Sequence, residues 1–328
     1  MKILYIVNTY TDENIPAAQP FVKAQIDSVR ETGVDIKVFN VRGSDSKLNY
    51  IKGVPKIRGL IQREPFDLVH GHFSYSGWIG ALQAKVPSVV SFMGSDLLGK
   101  RNDNGYLRPI GMLDTALSFL LTYFVDGIIV KSFEMARRIS TKRPLMVIPN
   151  GVDFNTFKPL PKEKCKKIIG HENTCPTILF IGKKSCSNKG YVLVKEAVQM
   201  LAQELHCELL VVQEVPHHDI PLYMNASDVL ILASQYEGSP NVVKEALACN
   251  LPVVATDVGD VREILKGISG CRIVHRSPKS IAKGIHAAFN AELPCNGREV
   301  IQHLQKERVA ERIVHFYHTV IEKKRKSR

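Results

Sequence analysis

The stretch Glu237-Gly-Ser-Pro-Asn-Val-Val-Lys-Glu245 lies between two apolar runs, Asp228 to Ala233 and Leu251 to Ala255, and its reading decides the fold. Asp228-Val-Leu-Ile-Leu-Ala reads as a buried parallel strand, Ser239 as a helix N-cap, Pro240 as the first helical residue and Asn250 as a left-handed C-cap. The helix therefore opens where the strand ends. The free N–H groups of Asn241, Val242 and Val243 point out of that end and, with the helix dipole, favour a phosphate. Pro240 contributes no donor. Glu245 lies roughly 7 Å along the helix axis at about 1.5 Å per residue, within reach of a ribose whose diphosphate sits at the helix mouth. Glu237, on the loop before it, would face the sugar beyond that diphosphate.

Outward from this segment, apolar β-branched runs alternate with longer segments of helical period, the pattern of parallel sheets covered by helices. The spacing predicts strands near residues 2–8, 35–41, 66–70, 87–92, 127–131 and 145–148, with a helix near 19–32 ending at Gly33. A second set falls near 177–182, 207–213, 228–233, 252–256 and 271–274. The expected fold class is α/β, with two doubly wound Rossmann-like domains facing across a cleft. Asn150 to Pro159 is rich in turn formers and marks the passage between them. The expected domains are residues 1–152, residues 153–305, and a closing helix with a basic tail at 306–328, expected to pack back on the first domain, the spacing from Glu299 to Lys324 being helical. Ligands of open α/β sheets bind outside the carboxyl ends of the strands.

Composition narrows the classes. The chain has 328 residues, enough for two domains, and its 45% hydrophobic content is that of a globular protein. The first residues are too short an apolar run for a signal peptide, and no run is long enough to span a bilayer. The seven cysteines show no C-x-x-C pair and no zinc spacing, which reads as reduced thiols and a cytoplasmic location. Neither Val7-Asn-Thr-Tyr-Thr nor Ile181-Gly-Lys-Lys-Ser gives a dinucleotide fingerprint, and a Walker A loop is lacking.

The formal net charge is +12. Five cations and one anion crowd residues 322–328, and Lys47, Lys52, Lys56, Arg58 and Arg63 punctuate one N-terminal segment. In Leu48 to Ile61 apolar and basic residues interleave, as on a helix lying along the anionic headgroups of a membrane, with a solvated helix face as the alternative. No nucleic-acid-binding signature accompanies the charge.

Glu237 to Ala255 resembles the E-x7-E signature of retaining GT-B glycosyltransferases of family 4. The family usually has glycine at the position of Asn250, and both residues tolerate positive φ. Gly182-Lys-Lys-Ser-Cys-Ser-Asn-Lys189-Gly190 resembles the family segment in which two cations clamp the donor diphosphate; Lys183 replaces the usual arginine, a point charge for a bidentate fork. Val89-Val-Ser-Phe-Met93-Gly94-Ser-Asp96 resembles a segment in which histidine normally stands where this chain has Met93, and a thioether donates no hydrogen bond. The resemblance implies donor binding by Gly182, Lys183, Lys189, Glu237, Gly238, Ser239, Asn241, Val242 and Glu245, with Glu237, Lys189, Lys183 and Asp96 as the catalytic candidates. His72, Met93 and Gly94 are candidates on the acceptor side.

His70 and His72 share one strand face and would suit a metal pair, but no further ligand of matching spacing completes a site. They are expected to be a structural pair or acceptor-side groups. His217-His218-Asp219 reads as a polar loop near the nucleotide base or a solvated loop, Gln25 as helix packing, and the loop Tyr10 to Pro20 as lying close to the acceptor. The resemblance implies transfer of a sugar from a nucleotide diphosphate to a glycan, lipid-linked or small acceptor, with retention of configuration, no cofactor and no metal. A nucleotide-sugar 2-epimerase on the same fold and a non-catalytic nucleotide-binding subunit are the alternatives.

Overall fold

A computed structural model describes residues 1–10, 20–99 and 109–326. They separate into two units, one built from residues up to 151 together with those from 306 onward, the other from residues 152–305.

In chain order the first unit runs β1 (Lys2–Val7), α1 (Pro20–Glu31), β2 (Asp35–Asn40), α2 (Leu48–Arg63), β3 (Leu68–His72), α3 (Ser74–Leu82), β4 (Ser88–Ser91), α4 (Ser95–Leu98), α5 (Pro109–Leu121), β5 (Gly127–Val130), α6 (Phe133–Arg137) and β6 (Leu145–Val147). The strands form one parallel sheet in the order β2-β1-β3-β4-β5-β6. Its order reverses between β1 and β3, the kind of switch point at which open sheets leave a crevice at their carboxyl ends.

The second unit holds α7 (Lys162–Ile169), β7 (Thr177–Ile181), α8 (Tyr191–Leu201), β8 (Glu208–Val212), α9 (Ile220–Asn225), β9 (Val229–Leu232), α10 (Asn241–Ala248), β10 (Val253–Thr256), α11 (Val261–Leu265), β11 (Arg272–Val274), α12 (Pro278–Phe289) and α13 (Gly297–Val300). Its sheet is also parallel, in the order β11-β10-β9-β7-β8. Here the reversal falls between β7 and β9. The loop after β7 is therefore next to the loop after β9, although about fifty residues separate them in the chain. All eleven strands expected from the apolar runs are present, each within two residues of its reading.

The closing segment is not one helix. After α13 and a single 3₁₀ turn the chain extends at Gln305, which pairs with Val152, and α14 (Lys306–Lys326) then begins. α14 belongs to the first unit. Its buried stripe, Val309, Ala310, Ile313, Phe316, Tyr317, Val320 and Ile321, completes the core beside β1, β3 and α1. Gly127 admits this helix, since a Cβ there would meet the Val320 side chain at 2.5 Å.

α2 uses its apolar residues differently from the membrane reading. Val54, Ile57, Leu60 and Ile61 pack into the core with Ile6, Val69 and Ile79, so the interleaved pattern mostly records a buried face. Leu48 and Ile51 are its exposed apolar residues, and Lys52 and Lys56 share the outer face with them.

Candidate functional site

The residues expected on the donor side gather at the carboxyl ends of β7 and β9. β7 runs into Gly182, whose φ of +152° favours glycine, and the stem of Lys189 would lie 3.4 Å from a Cβ there. The loop closes through a 3₁₀ turn at Ser187–Lys189 and a left-handed Gly190, where α8 begins. Asn188 locks this loop to the one after β9: its side chain donates to the Tyr236 carbonyl and accepts from the Tyr236 N–H, both at 3.2 Å. Arg276 braces both loops, donating to the carbonyls of Ala233 and Ser187 at 3.1 Å each. Sequence reasoning missed Asn188 and Arg276. Their partners are backbone atoms far along the chain, which leave no local signature.

Within this frame the ammonium of Lys189 lies 2.6 Å from a carboxylate oxygen of Glu237, which also accepts from the Ser234 hydroxyl at 2.9 Å. Lys183 pairs with Glu214 at 2.9 Å, both side chains mostly in solvent. Glu245, nearly buried on α10, lies 2.9 Å from Nε2 of His217. That hydrogen bond, opposed by partial burial, raises the pKa of His217. The polar loop after β8 thus reaches the second glutamate of the signature.

The start of α10 differs from the cap reading. The helix begins at Asn241 with Pro240 before it, and Ser239 makes no cap bond. Its hydroxyl instead donates to Asp260 at 2.6 Å and accepts from buried Lys244 at 3.1 Å. A buried cation and anion meeting one hydroxyl outcompete an exposed cap bond, because a hydrogen bond to a desolvated charge is worth more than one in water. Burial lowers the pKa of Lys244 and raises that of Asp260. Gly238 lies against Gly259, where a Cβ would stand 2.5 Å from the Gly238 carbonyl. Asn250 does adopt positive φ, at +57°.

In the first unit Asp96 accepts from the N–H groups of Met93 and Gly94 at 3.0–3.2 Å and so holds the turn after β4. Burial raises its pKa to about 6, against the opposing effect of those backbone donors. Gly94 sits at φ +133°, a conformation that favours glycine. His72 is fully buried, as fits the structural-pair alternative of its reading. Its ring joins those of Tyr5 and His70 in a cluster of three tilted rings with centroids 4.7–5.4 Å apart, its Nε2 lies 3.4 Å from the Gln25 amide, and burial, with Lys131 nearby, lowers its pKa to about 3. His70 bridges the Tyr317 hydroxyl and the Ser91 hydroxyl, at 2.6 and 2.8 Å. Gln25 also accepts from Lys131, so it belongs to this polar network rather than to apolar helix packing. Residues 11–19 of the loop expected near the acceptor lie outside the described residues.

A pocket of about 280 Å³ does open at the carboxyl ends of β1 to β4, lined by residues that include Asn8, Lys47, Phe73, Tyr75, Asp96 and Asp114. Tyr75 donates to Asp114 at 2.5 Å, Tyr50 donates to Asn8 at 2.8 Å, and the two tyrosine rings are 5.0 Å apart. Burial raises both phenol pKa values to about 12. Phe73 holds φ +67° in the wall, a backbone conformation rare for a bulky residue. Sequence reading did not single out this aromatic and carboxylate set, because it is assembled from separate loops.

Two family profiles match the chain: "Glycosyltransferase Family 4" over residues 10–156 and "Glycosyl transferases group 1" over residues 195–303. The chain belongs to the group 1 glycosyltransferases of family 4. Lys183 and Lys189 fall between the two matched ranges, whereas Glu237 and Glu245 fall inside the second. This glycosyltransferase is 25% identical to TuaC of Bacillus subtilis, named for teichuronic acid biosynthesis, over 87% of this chain and 88% of that one. It is 24% identical to a D-inositol 3-phosphate glycosyltransferase of Geodermatophilus obscurus over 71% of this chain, spanning 62% of that relative's length. Among solved structures, a sucrose-phosphate synthase from Thermosynechococcus elongatus superposes with a TM-score of 0.80 over 98% of this chain and 100% of its own, at 15% identity. HepE of Anabaena, solved with UDP-glucose, gives a TM-score of 0.64 at 18% identity over 98% of this chain and 99% of its own. The glycosyltransferase therefore has the GT-B fold, two parallel-sheet α/β domains.

Proposed function

We propose that this glycosyltransferase takes a sugar from a nucleoside diphosphate sugar and transfers it to an acceptor hydroxyl with retention at the anomeric carbon. The observation that carries the reading is the assembly of Lys189, Glu237 and Glu245 around the mouth of α10, at the switch point of the second sheet. The diphosphate would sit at the N–H groups of Asn241 and Val242, with Glu245 on the ribose hydroxyls and His217 holding that carboxylate in place. UDP and UDP-glucose in the HepE structures support a nucleotide sugar as the donor.

In the reaction the bond between the anomeric carbon and the diphosphate oxygen breaks as the acceptor oxygen bonds to the same face of the sugar. The acceptor proton passes to the departing phosphate oxygen. Lys183 and Lys189 would stabilise the charge that develops on that diphosphate, an electrostatic role. Lys183 leaves its exposed partner Glu214 at little cost, since surface ion pairs contribute about 0–1 kcal/mol. With two cations supplying the counter-charge, no metal is required, and Glu237 both steadies Lys189 and faces the transferred sugar.

Calorimetry with UDP, GDP and ADP in EDTA tests the site, comparing the parent chain with Glu245→Ala and Lys189→Ala. Selective metal-free binding, weakened at least about tenfold in both variants, is expected. Binding that needs a divalent ion, or is indifferent to both substitutions, refutes the arrangement. Product analysis with and without acceptor then separates transfer from epimerisation.

A further inference from the structure

Among the described residues of the first unit, exposed apolar side chains cluster on α5 and the turn that follows it. Met112, Leu113, Leu120, Tyr123 and Phe124 are each 47–63% exposed, and exposed Ala116 falls on the same helical stripe. The only charged residue from Gly111 to Val125 is Asp114, which accepts from Tyr75 in the pocket. Cations stand at the far end of the stripe: the Arg143 guanidinium donates to the Tyr123 carbonyl at 3.4 Å, and Lys323 of α14 donates to the Lys142 carbonyl at 3.3 Å.

We propose that this stripe is a docking surface for an anionic lipid bilayer, its apolar side chains entering the headgroup and acyl boundary while Lys142, Arg143 and Lys323 meet the phosphates. An amphipathic element with aromatic and aliphatic residues on one face and cations beside it binds such an interface through both contributions. Among the described residues no helix is long and apolar enough to cross a membrane, so the contact is interfacial. The seat is α5, not the basic face of α2, most of whose apolar residues serve the core.

The same helix carries Asp114 and Ser118 into the pocket at the carboxyl ends of β1 to β4. A bilayer held against its outer stripe would bring lipid-borne molecules to the edge of that pocket.

The test is cosedimentation with vesicles of equal parts phosphatidylcholine and phosphatidylglycerol, against phosphatidylcholine alone, at low and high salt. The expected result is binding to the anionic vesicles that salt weakens. The variant Met112→Ser, Leu113→Ser, Leu120→Ser, Phe124→Ser should lose at least about tenfold in partitioning, and Lys142→Gln with Lys323→Gln about fivefold per cation. Circular dichroism melts of both variants should keep the parent midpoint, which separates lost docking from misfolding, and UDP calorimetry, which reports on the second unit, should not change, which separates it from failure of the donor-site reading. Trp78, the one tryptophan, lies 5.3 Å from Phe124 and gives an independent emission change on docking. Equal binding to neutral and anionic vesicles, unchanged partitioning of the serine variant, or a concentration-dependent dimer that the serine variant abolishes in place of vesicle binding would each overturn the proposal.

Discussion

Gly190→Ala isolates how closely the loop after β7 approaches β9. Gly190 has φ +72°, and a Cβ there would stand 2.5 Å from the Ala233 carbonyl oxygen and 3.1 Å from its Cβ. Gly267, in the same unit, has nearly the same φ, +78°, yet a Cβ would meet nothing within 4 Å. Both alanines incur the left-handed cost of about 1–2 kcal/mol, partly offset by lower unfolded-state entropy. Gly190→Ala also forces a backbone shift, because a carbonyl oxygen cannot rotate away, and overpacking of that kind costs about 1–3 kcal/mol. The expected losses are about 3 kcal/mol for Gly190→Ala and about 1 kcal/mol for Gly267→Ala. At about 2–4 °C per kcal/mol for a domain of this size, thermal unfolding followed by circular dichroism should separate the two midpoints by at least 4 °C. Because the shift moves Lys189 away from Glu237, only Gly190→Ala should also weaken UDP binding in calorimetry. Equal midpoints would refute the close-approach argument, and a destabilised variant with full UDP affinity would refute the link from that contact to the site.

Two further outcomes concern stability. Burial depresses the pKa of both His70 and His72, the latter to about 3, so each stays neutral in the folded chain while its unfolded counterpart takes up a proton below about pH 6.5. Their contribution is complete above that pH and is lost as pH falls, by about 1.4 kcal/mol per unit for each histidine; urea midpoints from neutral pH to about pH 5 should drop steeply, and His72→Gln should flatten the drop. A pH-independent midpoint for the first unit would contradict the burial argument. Arg298 donates to the carbonyls of Phe157, Ala248 and Phe154 at 2.7–2.9 Å and lies over the Phe154 ring. Arg298→Ala should cost about 3 kcal/mol, and Arg298→Lys should recover less than half of it, because an ammonium cannot serve three carbonyls in the plane of a fork; recovery to the parent denaturation midpoint by lysine would count against that geometry.

Much of the backbone geometry around β7 and α10 was legible because its constraints are local. Gly182 and Gly190 are set by backbone conformation at the ends of a strand and a turn, and Asn250 by the reversal after a helix. The E-x7-E spacing is likewise a property of one loop and one helix. Ser239 was misread as a cap because its choice of partner depends on Asp260, twenty-one residues away, and on buried Lys244. The reading of His72 stayed open between a structural pair and an acceptor-side group because a strand-end histidine carries no mark of burial; His70 neighbours it along β3 itself, whereas the Tyr5 ring meets it only once β1 and β3 pair.

The sequence by itself determined the two parallel sheets, since strand period, apolar runs and turn formers act within a few residues of one another. It also determined the chemistry offered at the mouth of α10, where helix geometry fixes what eight residues of spacing can reach. Tertiary structure alone decided which cation meets which carboxylate and how Asn188 and Arg276 clamp the two loops. Those outcomes depend on strand order. β9 pairs beside β7 rather than beside β8, and no local run of residues encodes that neighbour.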